Sequence, residues 1–507
     1  VPEGLHVALI ALAASAAGLW AWHHFYAASF WLVIGYLLTS IRVRLTWRKI
    51  ALGCGLTKRR QRPRFLRVPR LVLETGTVQV NRRWRRVGLD AKPWMWWPMP
   101  TRHGWRVTIR TLEGQVPQDY SKVAERLAHS WRMHGVRVSS PRPGRVVLSV
   151  TIRDPLVNVA TPANPAELLQ VTVGRLETGR PWIIDFKTVP HWMVAGATQS
   201  GKSNLANALI VGLAPQPVAL VGFDLKGGVE FAPYSPRLSA LATSRPECLS
   251  LLNEVGTLMQ RRMDACRAAG ARNIWQLHPD LQPLPVVILI DELAELYLMA
   301  DKSEKEEVAA ISTALLRVAQ LGRAFGIYLV CCGQRIGSDL GTGVTALRAQ
   351  CSGRVCHRVN DPETAVMALG DLDPAALDSA RMIPAASPGV AIAAHEDGQW
   401  YRSRSSLVAN ETAEEATQRW AHMAPSWGAV LAGARIPDLM ARSRKEEIGV
   451  PRRSLAARLR AGRRPRAHSG RRVVQSHPPN GPGERPDRLD GVGHRDLHRP
   501  DVRHGRP

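Results

Sequence analysis

Paired cysteines are missing from this chain of 507 residues. Its seven cysteines, Cys54, Cys248, Cys266, Cys331, Cys332, Cys351 and Cys356, form no Cys-x-x-Cys pair and have no histidines at zinc spacing. The sequence therefore predicts neither disulfides nor a structural metal. Several of the cysteines lie in apolar runs, as small buried side chains do in a reducing compartment. Scattered histidines such as His6, His191 and His357 read as ordinary structural or surface residues. Negative charge is scarce too: 42 Asp and Glu against 68 Lys and Arg leave a formal net charge of +26. That excess calls for an anionic partner, and charge alone does not choose between nucleic acid and an acidic membrane surface. Much of it lies in residues 50–86 and in the carboxyl-terminal part, so it is not a property of the middle of the chain.

No apolar run near the start reaches the roughly 20 residues that cross a bilayer upright, but two come close. Residues 6–22 and 25–41 are apolar, His23 and His24 separate them, and Arg42, Arg44, Arg48 and Lys49 follow. Flanking Trp and Tyr extend the usable length, so residues 1–49 read as a two-helix transmembrane hairpin with both ends in the cytoplasm. A signal peptide would need a basic start and no second apolar run. Two buried helices of a soluble fold are the other reading.

At this length the chain holds two or three soluble units besides the hairpin. Residues 50–103 read as a basic, tryptophan-rich linker: 56–86 are crowded with Arg and Lys, and 94–100 set tryptophans beside prolines. Such a segment suits either lipid headgroups or packing on the unit that follows. Residues 104–172 predict a small α/β subdomain, with strands at 105–110, 136–139 and 146–152 and a helix at 120–133.

The middle of the chain carries the chemistry. Gly196-Ala197-Thr198-Gln199-Ser200-Gly201-Lys202-Ser203, with Asn204 after it, follows an apolar run at 191–195 and precedes a helix-like run at 205–213. Strand, glycine loop and helix in that order predict a P-loop, whose amides and helix start bind a triphosphate. Lys202 reaches the β- and γ-phosphates there, and Ser203 offers a hydroxyl to Mg2+. A second run, 286–290, is apolar on both faces like a central parallel strand and ends in Asp291 and Glu292. Asp291 is placed to hold Mg2+ through water, and Glu292 to take the proton of the water that attacks the γ-phosphate. A third run, 327–332, ends in Gly333-Gln334-Arg335, where the Gln334 amide is placed to sense the γ-phosphate. With 192–195 and 218–223, these runs predict a RecA-like doubly wound α/β domain with a parallel sheet and nucleotide at the strands' carboxyl ends.

Residues 191–203, Asp224-Leu225-Lys226, 288–296, 322–327 and Gly333-Gln334-Arg335 resemble, in the same order, the motor domain of the FtsK/SpoIIIE DNA translocases. The resemblance covers about half of the chain, roughly 173–406. The layout before the motor is similar to the TraB-type conjugative translocators of actinobacteria. What the resemblance implies is an ATPase that uses ATP and Mg2+ to move double-stranded DNA. Arg323 matches the arginine sent into a neighbouring subunit's nucleotide, which implies a homo-hexamer. Gln334 matches the sensor glutamine, although Cys332-Gly333 stands where the family has Ala-Thr. The loops after Asp224 and Gln334 line the pore in relatives, so Lys226, Arg335 and Arg348 are either DNA-backbone contacts or solvated surface cations. Residues 254–262 match a segment read as a subunit-contact helix, and Arg354 matches a family arginine of structural or nucleotide-facing role.

The motor is expected to span 173–410, followed by a helical region, 411–463, whose residues 446–459 resemble part of a helix-turn-helix, and by a basic tail of disordered composition, 464–507. The expected protein is a DNA pump for conjugation, multi-pass in the cytoplasmic membrane with its motor in the cytoplasm. A chromosome-segregation translocase at the septum and a type VII protein-secretion ATPase are the alternatives. The former usually has four membrane helices and a long linker, the latter tandem motors. The envelope proteins that receive the DNA are not legible.

Overall fold

The computed structural model describes residues 3–59, 64–74, 77–87, 90–101, 103–157, 159, 167–299, 301–370, 372, 374–394 and 399–441. The helix-turn-helix match at 446–459 and the basic tail lie outside them.

The amino end is helical almost throughout. Helix α1, Glu3–Phe25, has no charged residue after Glu3 unless a histidine is protonated, and its 23 residues extend about 34 Å. A short helix, Ala27–Phe30, and a π-helical turn, Trp31–Gly35, lead into α2, Tyr36–Gly53. His23 and His24, predicted as the loop of a hairpin, lie inside α1 instead. The interruption falls at Tyr26, where the ladder persists: Tyr26 N–H donates to Trp22 O and Phe30 N–H to Tyr26 O. Large apolar side chains stay exposed along this stretch, Leu12, Trp20, Phe25, Val33 and Leu38 among them.

The second half of α2 changes environment. Val43, Trp47 and Ala51 are buried in the small subdomain, with Trp47 6.0 Å from the Trp131 ring. Residues 50–103 are correspondingly not a free linker. Strands β1, Arg64–Glu74, and β2, Thr77–Val87, form a long antiparallel hairpin. The tryptophan stretch adds two short strands, Trp94–Met95 and Met99–Thr101, to the subdomain sheet by pairing with β3, Gly104–Arg110. In the first of these strands alternation turns Met95 inward and Trp94 outward, and the following Trp96 and Trp97 are exposed as well. Helix α3, Ala124–Trp131, and strands β4, Gly135–Arg142, and β5, Arg145–Thr151, complete this unit.

The motor is built on one ten-stranded sheet. In chain order its elements are β6 (Gln170–Leu176), β7 (Pro181–Asp185), β8 (His191–Ala195), α4 (Lys202–Leu213), β9 (Ala219–Phe223), β10 (Ala240–Ala242), α5 (Arg245–Ala268) and β11 (Val286–Ile290). There follow α6 (Lys305–Leu321), β12 (Ile327–Gly333), α7 (Thr342–Gln350), β13 (Gly353–His357), α8 (Pro362–Leu369), α9 (Pro374–Arg381), β14 (Val390–Ala394), β15 (Trp400–Ser405) and α10 (Asn410–Arg419). The strand order is β7-β6-β15-β14-β13-β8-β12-β11-β9-β10.

Six strands, β13 to β10 in that order, are parallel, whereas β7, β6, β15 and β14 pair antiparallel at the other edge. The sheet is thus mixed, which corrects the expected parallel one. Short connections decide this: the turn from β6 to β7 is too short for a crossover, and only an antiparallel neighbour is in reach. Strand β6 also begins before residue 173 and belongs to the motor sheet, so residues 170–172 leave the subdomain.

The apolar runs are explained by cover on both faces. Along β11, Val286, Ile288 and Ile290 pack with Leu252 and Val255 of α5 and Ile311 and Leu315 of α6. Val287 and Leu289 point the other way, to Leu205, Leu209 and Leu213 of α4. Each such side chain contributes about 1.5–3 kcal/mol on burial, so no polar position is tolerated until the strand ends. Residues Lys302–Phe325 have the length and mean hydropathy of a membrane span, but here they include α6, whose Val308, Ile311, Leu315 and Val318 are buried in this core.

Candidate nucleotide site

Strand β8, buried along its whole length, delivers the chain to Gly196. Gly196 N–H donates to Gly333 O, and a Cβ there would stand 2.4 Å from Ser200 Oγ and 2.9 Å from His357 Cβ. Gly201 has φ +108°, and a Cβ on it would meet Gly389 N at 2.4 Å. These two positions admit only glycine. Gln199 is left-handed as well, φ +58°, a conformation that costs a non-glycine residue about 1 kcal/mol. The loop is held from outside: Ala197 N–H donates to Arg358 O, Arg358 to Thr198 O, and Gly389 N–H to Ser200 O. Helix α4 then starts at Lys202, so the amides of Lys202, Ser203 and Asn204 have no carbonyl one turn earlier. Together with the positive end of the helix dipole they form an anion-binding end.

The carboxyl tips of β8, β11 and β12 bring the predicted residues together. Lys202 Nζ donates to Glu292 Oε2 at 3.1 Å, with both side chains buried. Glu292 also accepts the Gln334 backbone N–H at 2.9 Å, and the Gln334 side-chain oxygen accepts from Thr198 Oγ1 at 3.2 Å. Asp291 is paired with Lys226 Nζ at 2.6 Å. Two adjacent carboxylates are thus kept out of water, each compensated by a lysine that a ligand can draw away. Nearby, burial and the Asp291 charge push the Glu230 carboxyl up, and burial pushes the Cys332 thiol up to about 12, which leaves it inert. Hard oxygen donors, the Asp291 carboxylate and the exposed Ser203 hydroxyl, match Mg2+, which keeps most of its waters and needs only one or two protein ligands. That an ammonium already lies against Asp291 shows that this carboxylate compensates a cation.

Other predicted residues are placed differently. The Asn204 side chain is committed away from the loop, donating to Ser405 Oγ and Ser406 O and accepting from Val408 N–H; only its backbone amide remains in the anion-binding turn. Lys226, a DNA-contact candidate, is the Asp291 partner, on a loop that Asp224 shapes by accepting from the amides of Lys226, Glu230 and Phe231. Arg348 donates to Ile336 O and its own carbonyl accepts from Arg354, so both arginines brace the segment after Gln334. Arg335 is exposed on that segment.

Arg323 lies elsewhere. Its turn, Gly322–Phe325, precedes β12, whereas Gln334 follows it. The seven-residue strand separates them by about 23 Å, so Arg323 of one copy does not reach the site of the same copy. A residue without a sequence signal holds this turn: buried Arg262 of α5 donates to Phe325 O at 2.7 Å and to Leu284 O at 2.6 Å. The charged run 254–262 was legible; that its last arginine points inward was not, because no local pattern distinguishes a buried arginine from an exposed one.

Two buried histidines lie in this part of the sheet, His357 against Gly196 of the loop and His191 at the other end of β8, beside the Arg323 turn. His191 Nδ1 accepts the Leu329 N–H, and burial with nearby Arg323 lowers its pKa to about 4. His357 contacts Val390 O through Nδ1, and burial lowers its pKa to about 4. Unfolding restores both toward 6.5, so the unfolded chain binds more protons between those values and stability falls as pH drops through that window. Unfolding free energy measured by denaturant is expected to fall by roughly 2 kcal/mol per histidine from pH 7 to pH 5, and His191→Gln to remove part of that slope. A pH-independent stability over this window would contradict the neutral assignment.

Residues 18–152 match the actinomycete conjugal transfer protein N-terminal domain, and residues 159–282 and 276–338 match the FtsK/SpoIIIE family. The transfer protein TraSA of Streptomyces ambofaciens is 43% identical over 318 residues, covering 60% of this chain and 77% of that protein. A sporulation regulatory protein of Streptomyces azureus is 45% identical over 252 residues, covering 50% and 81% respectively. The DNA translocase FtsK of Listeria monocytogenes is 30% identical over 253 residues, covering 44% of this chain and 32% of that protein.

Proposed function

Because the chain belongs to the FtsK/SpoIIIE family and carries the amino-terminal domain of actinomycete conjugal transfer proteins, we propose that it is an ATPase that drives double-stranded DNA through the cell envelope in conjugation. The observation that carries the reading is the meeting of Lys202, Glu292 and Gln334 at three neighbouring strand tips.

The chemistry follows from these residues. A triphosphate on the α4 amides draws Lys202 from Glu292, since the ammonium is better satisfied by the β- and γ-oxygens. Glu292, then without its counter-ion but still held by the Gln334 amide, is a fixed acceptor for the proton of an attacking water. Asp291 and Ser203 would hold Mg2+, which would supply charge neutralisation to the bound triphosphate. Arg323 acts on the nucleotide of an adjacent copy, which makes an assembly the working form, and the family resemblance points to a homo-hexamer.

The remaining parts follow the same logic. Arg335 at the β12 tip, and Lys226 once released from Asp291, contact the DNA backbone. The apolar stretch from α1 to Gly35 anchors the chain in the cytoplasmic membrane, and the basic residues Arg42, Arg44, Arg48 and Lys49 keep the motor in the cytoplasm.

Duplex DNA is expected to stimulate ATP hydrolysis by the full chain in detergent, and the stimulation to fade between 50 and 200 mM salt by about 10³ in DNA affinity for six or more phosphate contacts. Phosphate release measured against DNA and salt checks this. Hydrolysis indifferent to DNA at every salt concentration would refute DNA as the cargo.

A further inference from the structure

A cleft of about 630 Å3 opens beside the Arg323 turn, at the end of the sheet opposite Lys202. Lys187, Arg272 and Arg323 line it with Asn273, Trp275 and Gln320, and no carboxylate is among its lining residues. Among the described residues none of the three cations has a salt-bridge partner. The frame around them is fixed. The Asn273 side chain accepts from the Trp275 and Gln276 amides and closes the turn Ile274–Gln276. Lys187 Nζ lies 4.6 Å above the Trp275 ring, which holds the ammonium at the cleft wall. The Arg272 N–H donates to Gln276 Oε1, and Arg262 holds Phe325.

Three like charges around one concave surface repel one another, and an incoming anion offsets that repulsion. Two guanidinium groups and an ammonium match the oxygens of a polyphosphate in charge and donor geometry. We propose that Lys187 and Arg272 complete, with Arg323, an anion cleft that takes the phosphate tail of the nucleotide bound to an adjacent copy of this chain. This rests on the reading of Arg323 as a residue acting in trans. DNA is the poorer occupant, because the loops after Asp224 and Gln334 emerge at the other end of the sheet.

The test uses the full chain in detergent with the double variant Lys187→Ala/Arg272→Ala. Binding of a fluorescent ATP analogue by the unassembled chain should stay within about twofold of the parent, because its own glycine loop is untouched, while turnover in the assembled state falls at least about tenfold. The exchange variant Lys187→Arg/Arg272→Lys, which keeps both charges, should recover most of the turnover. Mixing the double variant with Glu292→Gln subunits should restore hydrolysis, since the latter supply intact clefts to the former's nucleotides. If mixing rescues Arg323→Ala but not the double variant, the cleft proposal falls and the trans arginine stands; if it rescues neither, both fall. An equal loss of duplex affinity at fixed salt, without a turnover defect, would assign the cleft to DNA and overturn the proposal.

Discussion

Glu292→Gln is expected to hold ATP and to hydrolyse it about 10² to 10⁴ times more slowly than the parent chain. The amide keeps the shape of the carboxylate, and its oxygen still accepts the Gln334 N–H that fixes the side chain. What it loses is the basicity that receives a proton. It also loses the charge that holds Lys202, so nucleotide affinity should be equal or higher. Lys202→Ala gives the contrasting result. It removes the phosphate ligand and leaves the Glu292 carboxylate buried without a counter-ion, a loss of about 3–5 kcal/mol when such a pair is broken. Nucleotide binding, phosphate release and thermal unfolding separate the two variants: one binds without turnover, the other neither binds nor keeps its stability. Parent-like turnover in Glu292→Gln would remove this residue as the base.

The second large effect is expected at Arg323. In the assembled protein Arg323→Ala should reduce turnover by about 10³, with nucleotide binding by the unassembled chain unchanged, because a guanidinium supplied in trans to the transferred phosphoryl group gains most of its strength in the transition state. The distance of about 23 Å set by β12 excludes an action within one copy. Assembly is therefore part of the prediction, and single-turnover hydrolysis should be compared at equal oligomer content. If the variant matched the parent under those conditions, Arg323 would be a surface cation on a well-held turn.

The difference between what was legible and what was not follows particular residues. Gly196 and Gly201 were readable because a Cβ on the first would crowd Ser200 and His357, and the second must turn left-handed against Gly389, so each admits few residue types. Val286–Ile290 was readable because a strand covered on both faces has no polar position, so Asp291 and Glu292 mark its end. The mixed sheet was not readable: β14 and β15 are as apolar or as alternating as any edge strand, and their direction depends on connection length and on available neighbours. Lys226 was recognised as a loop cation, but its pairing with Asp291 joins residues 65 positions apart. The same holds for Arg262, whose partners Leu284 and Phe325 come from two other elements.

The sequence by itself marked the candidate chemistry of this protein: a glycine loop with its lysine, an acidic pair and a glutamine, each at the end of an apolar strand. Local physics suffices there, since backbone conformation, strand burial and phosphate geometry each restrict residue type at a few consecutive positions. Tertiary structure alone decided which cation faces which carboxylate, which arginine is buried, and that Arg323 stands a strand's length from its own copy's nucleotide site. Those are relations between elements distant in the chain, and a charged side chain carries no local mark of its partner.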